Sequence, residues 1–136
     1  MTSVDLSALR AAMPENLYWA LGEPTTDEVV LARRAAGDRE RNRVFGRIQA
    51  GEADDAELHA YFEAQRRLHQ DYLDFSLAVL SRYGEQLPER DRGLYELSAR
   101  MHRDRLAELP QLEAEAVARK HAQDERRREW EAAGRR

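Results

Sequence analysis

Apolar positions along this chain recur at three- and four-residue intervals, the period of helices that bury one face. The clearest row lies between residues 55 and 83, where Tyr61, Ala64, Leu68, Tyr72, Phe75 and Val79 are spaced 3, 4, 4, 3 and 4. Asp54 and Glu57 stand at its start with N-terminal capping chemistry. Leu73, Leu77 and Leu80 form a second row on nearly the opposite side. Together the two rows widen the apolar arc to roughly 200°, where a single stripe covers about 100°. A helix this apolar must touch neighbours on two sides, as the centre of the fold or in a dimer interface.

The same reading divides the rest of the chain. Residues 4–13 predict a short helix stopped by Pro14, followed by a further turn through Leu17, Tyr18, Trp19 and Leu21 that folds back on the bundle. Thr25 and Glu28 have capping-box spacing, and open a helix expected to reach about Gln49 with Gly51 as its stop. Gly84 suits a left-handed cap at the end of helix 55–83, and Pro88 suits the first position of the next. That helix carries Tyr95, Ala99, His102, Leu106 and Leu109 at spacings of 4, 3, 4 and 3. A turn this short forces the two helices into an antiparallel hairpin. Pro110 either kinks the chain or opens a last, mostly charged helix reaching about Ala133.

The predicted fold is therefore all-α: an antiparallel hairpin or bundle of about four main helices plus a short N-terminal one. It divides into short N-terminal helices (1–24), a helical core (25–109) and a charged C-terminal helix (110–136). Composition agrees. Valine, isoleucine and threonine together number only ten, too few for a sheet, while 21 alanines and 16 leucines favour helix. Only 36 apolar residues are larger than alanine. So thin a supply points to a homodimer, with helices of a second subunit adding cover at Leu73, Leu77 and Leu80.

A formal net charge of −4 gives no general pull toward nucleic acid, and no run of residues is apolar enough to span a membrane. With no cysteine, thiolate catalysis, disulfides and Cys-type zinc sites are excluded. The opening Met1-Thr2-Ser3-Val4-Asp5 has neither region of a secretory signal. An envelope location would thus need an export segment already removed, and the alternative is the cytoplasm.

Charge is uneven inside the second long segment. Arg33, Arg34, Arg39, Arg41, Arg43 and Arg47 face only Asp38 and Glu40, a local excess of +4. This helix is either a solvated face or a surface for acidic clients.

Candidate chemistry is sparse. His59 and Glu63, at i, i+4, would reach one ion, although an exposed His–Glu pair on a helix is ordinary surface. The hairpin offers more. With its turn centred at about residue 85.5, positions summing to about 171 lie level, and His69 and His102 do so. Brought together, they would share a transition metal with Glu63 or Met101, act as a protonation switch near pH 6, or simply make ordinary hydrogen bonds. The di-iron pattern Glu-x-x-His fails, because Ala56, Arg66, Ala99 and Ala118 precede the four histidines by three. No zincin spacing, phosphate-cradling loop or nucleophile elbow occurs, so no enzyme is expected and no cofactor is required.

The connector Gly51-Glu52-Ala53-Asp54, the long helix after it and the turn Leu87-Pro88-Glu89-Arg90-Asp91 resemble the Spy/CpxP group of bacterial periplasmic proteins over residues 48–109. Uncharacterised bacterial lipoproteins with this helix pair look similar. In that group the turn reads Leu-Thr-Pro-Glu-Gln; here the threonine and glutamine are missing. The resemblance implies an all-helical antiparallel dimer acting as an ATP-independent chaperone or stress regulator of the envelope, with histidine metal sites in some relatives. Arg33–Arg47 would then be the client surface. Two other expectations stand beside it: a metal- or pH-responsive sensor using His69 and His102, and a cytoplasmic structural or adaptor protein.

Overall fold

The computed structural model describes residues 4–134. The opening Met1–Ser3, read above for an export signal, and the last two positions of the predicted C-terminal segment lie outside the described residues. The described chain is all-α: α1 (Leu6–Ala12), α2 (Tyr18–Leu21), α3 (Glu28–Gln49), α4 (Asp55–Tyr83) and α5 (Glu89–Gly134). Helices α4 and α5 form the antiparallel hairpin, and α1, α2 and α3 lie against it.

Helix α4 begins on a complete capping box. Asp54 Oδ1 accepts from Glu57 N at 2.8 Å while Asp54 N donates back to Glu57 Oε1. Its central place is as expected, and its burial follows each predicted row only in part. The seam toward α5 runs between them, through Leu58, Phe62, His69, Leu73 and Ser76. Ala64 is exposed, whereas Phe75 and Val79 are covered by α1 and α2. Of the second row, Leu73 is buried, Leu80 half-buried, and Leu77 remains 40% exposed.

Three start and stop signals differ from expectation. Asp27, not Thr25, caps α3, accepting from Val29 N and Val30 N; Thr25 Oγ1 accepts from Asp27 N one step earlier and shapes the approach. Gly84 is right-handed, with φ −54°, because the chain stays helical into the turn. Gly51 does take the left-handed conformation, at φ 73°. Pro88 occupies the cap position of α5, its carbonyl accepting from Arg92 N at 3.0 Å.

Pro110 neither ends nor opens a helix. Helix α5 runs through it unbroken, so one 46-residue helix replaces the predicted two. Proline removes an N–H and costs roughly 3 kcal/mol inside a helix. Here Leu109 before it and Leu112 and Ala116 after it all bury against Ile48, Leu58 and Phe62. That packing holds both halves in line, and the proline itself faces solvent.

Two apolar clusters result. The lower one, at the hairpin's open end, joins Ile48, Ala53, Leu58, Phe62, Leu109 and Ala116. The upper one, near the turn, joins Leu9, Trp19, Phe75, Val79 and Leu87. The short N-terminal helices are fastened to α4 by Asn16 Nδ2 donating to Asp71 O and Leu17 N donating to Asp71 Oδ2, at 2.7 and 2.8 Å. Arg34 ties α3 to the same segment by donating to the Ala20 and Glu23 carbonyls.

Candidate functional site

The level between the two clusters is polar. His69 Nδ1 and His102 Nδ1 meet across the hairpin at 2.9 Å, and Ser76 Oγ donates to Ser98 Oγ at 3.1 Å two turns further along α4. The hairpin register foretold the first contact. The ring centroids are 5.2 Å apart, a separation that places both nitrogens close to the line between the ring centres. The N–H of one ring therefore points head-on at the lone pair of the other. Burial lowers the pKa of both imidazoles from the ordinary histidine value; at His69 the neighbouring His102 and then Arg105 add to it.

This is hydrogen-bond geometry. A metal ion on the line between the nitrogens would need them about 4 Å apart. Glu63 does not join the pair, since its exposed carboxylate pairs with Arg66 on its own helix. Met101 is 60% exposed. Among the described residues no group of three His, Asp or Glu side chains converges as metal ligands. His59 turns toward Glu113 of α5, at 3.4 Å, rather than sharing a site with Glu63. His121 Nε2 likewise lies 3.0 Å from Asp55. All four histidines thus stand on the α4–α5 seam.

Beside the histidine pair, two hollows along α5 make up a groove. Leu94, Ser98 and His102 line the upper one, and Arg105, Leu109, Leu112 and Ala116 line the lower. The upper part, about 340 Å³, is floored by Tyr72, Phe75 and Ser76 and walled by Tyr18 and Gly22. The lower part, about 210 Å³, is walled by Phe45, Ile48 and Gln49 of α3. Tyr18 stacks on Phe75 with centroids 3.6 Å apart, and Tyr72 meets His102 edge-on at 5.3 Å. Burial raises the pKa of Tyr18 and of Tyr72, so both phenols stay neutral. On α5, Leu94 of this lining and its helix neighbours Leu97 and Met101 are 58%, 42% and 60% exposed.

The lower part of the groove lies where α3 packs loosely on the hairpin. The inward row of α3 is Val30, Arg34, Gly37, Arg41, Val44 and Ile48, of which only Ile48 is fully buried. Two arginines and a glycine at successive inward positions keep the middle of α3 from closing on the hairpin.

The six arginines do not form one free surface. Arg34 holds carbonyls of the N-terminal segment, Arg41 pairs with Asp38, Arg43 with Glu40, and Arg47 with Glu57. Arg33 and Arg39 are exposed and make no ion pair or side-chain hydrogen bond among the described residues. Sequence reasoning missed Tyr72, Ser98, Leu94 and Arg105 as parts of one site. The α5 row, spaced by threes and fours, was the available signal.

No protein family, no curated protein and no solved structure matches this chain.

Proposed function

We propose that this chain is a non-enzymatic helical binding protein, a chaperone-like or stress-response protein of the bacterial envelope, that holds client segments in the groove beside α5. The observation that carries the reading is the exposed row Leu94, Leu97 and Met101 on α5, whose first member lines the upper hollow. Single exposed leucines are ordinary on any surface, but three at i, i+3 and i+7 beside a cavity make a contact strip. Arg105, which pairs with Glu108, and Arg119 line the lower half together with Glu115. Arg33 and Arg39 add positive charge on the outside of α3. Clients with acidic flanks fit this arrangement: charge steers the encounter and apolar contact retains it. The envelope location comes from the resemblance of residues 48–109. No helix among the described residues is long and apolar enough to cross a membrane.

The test is suppression of aggregation of a thermally unfolding model enzyme. The wild-type protein is expected to act at substoichiometric amounts. Leu94→Ser with Met101→Ser should weaken it about 30-fold, from two lost apolar contacts of roughly 1 kcal/mol each. Arg33→Glu with Arg39→Glu should slow capture at low salt and matter little at high salt. Equal suppression by the wild type and the Leu94/Met101 variant would remove the groove from the mechanism.

The homodimer expected from the sequence belongs to the same reading, with Leu77 and Leu80 as its contact. Sedimentation equilibrium checks this part: Leu77→Glu should shift the wild-type dimer toward monomer, and a monomeric wild type at all concentrations discards it.

A further inference from the structure

We propose that His69 and His102 form a proton-operated clasp at the edge of the groove, which His102 lines: closed, the pair holds at most one added proton, and a second drives the rings apart and expels an apolar segment from the groove. This rests on the reading of the groove as the client site.

The limit follows from the 2.9 Å contact. When both rings are neutral, one donates its Nδ1–H and the other accepts with Nδ1. When one proton is added, the accepting ring stays neutral and the same bond survives, now charge-assisted. A second proton puts an N–H on both nitrogens. Two donors and two positive charges then face each other, and the contact must break.

Among the described residues no carboxylate pairs with either ring. Arg105 reaches the pair from α5, and Tyr72 from α4 meets His102 edge-on. From α3, Arg34, Arg41 and Asp38 bear on Tyr72, and Asp38, the one carboxylate of these, is held by Arg41. The other two histidines of the seam differ, because His59 faces Glu113 and His121 faces Asp55. Each of those rings lies against a carboxylate. Only the middle pair meets another cation.

Position gives the clasp its effect. His102 is part of the lining of the upper groove, next to Tyr72, Phe75 and Ser76. The pair lies between the two apolar clusters, with Phe62 and Leu109 below and Val79 and Leu87 above. Charging His102 turns a neutral lining into a cationic one and withdraws the favourable burial that retained the client.

The experiment uses the full chain and two readouts. In ring-nitrogen NMR from pH 8 to 4, the wild type should show one Nδ1–H and one Nε2–H ring at neutral pH, and take up its two protons in separate steps. In parallel, the uncharged apolar dye Nile red should bind about fivefold or more weakly at pH 5.0 than at pH 7.5. The change should be less than about twofold in His102→Asn, whose amide still reaches His69 but takes no proton. A single step in which both rings titrate as isolated imidazoles overturns the clasp; so does an equal loss of dye in wild type and variant. If His102→Asn loses its helical circular dichroism, His69→Asn replaces it, and the NMR titration needs no variant. Dye that binds the Leu94→Ser/Met101→Ser protein as well as the wild type defeats the groove reading instead, while the two NMR steps still decide the clasp.

Discussion

Gly51 shows how much one position can require. Its φ of 73° lies in the left-handed region, and a Cβ placed there would fall 1.3 Å from Gln123 Oε1. Gly51→Ala should therefore cost about 1–3 kcal/mol in urea unfolding. Adding Gln123→Ala should return only part of it, because the backbone strain remains. The carbonyl of Gly51 also accepts from Lys120 Nζ at 3.0 Å, joining the α3–α4 connector to α5. The histidine pair makes a second prediction at this scale. Burial holds both imidazoles below their ordinary value of about 6.5. As pH falls through that value, the unfolded chain takes up protons that the folded chain refuses. Stability is therefore full above about pH 6.5 and declines below it until the folded pair itself protonates. Melting temperatures from pH 7.5 to 5.5 should fall more steeply in the wild type than in the double variant His69→Asn/His102→Asn. Parallel slopes would mean that the pair carries none of the acid sensitivity.

At the scale of elements, the hairpin was legible in the sequence. A short turn between two long helices leaves one register, and that register alone put His69 level with His102. The capping box at Asp54 and Glu57 was legible because both halves of it are local. What stayed hidden depends on neighbours far along the chain. Thr25, Thr26 and Asp27 can each cap a helix, and the path of the preceding segment, held by Arg34, selects Asp27. Pro110 reads locally as a break, yet Leu109, Leu112 and Ala116 bury on the lower cluster and keep α5 whole. The groove was least legible, since its lower part lies against α3, whose arginines and glycine at inward positions a pattern of charge alone assigns to solvent. Restoring an N–H inside α5 gives a prediction. Pro110→Ala should raise stability by about 1–3 kcal/mol, because Leu106 O regains its partner at a solvent-facing site with no clash. Unchanged or lowered stability in denaturant titration would show that the helix already compensates for the proline.

At the scale of the molecule, two apolar clusters are separated by a belt of histidine and serine, and the longest helix outruns the rest. At 1.5 Å per residue α5 spans about 69 Å against about 44 Å for α4. From Glu125 to Gly134 every residue is exposed. One consequence concerns light. The chain has two tryptophans, and they sit in opposite surroundings: Trp19 is 9% exposed, its indole N–H donating to Met13 O, while Trp130 on the overhang is 76% exposed. Iodide should quench the red-shifted emission of Trp130 and leave the blue-shifted emission of Trp19 nearly untouched. A single native sample thus carries separate optical gauges of its far tip and of the lock that fastens its N-terminal segment.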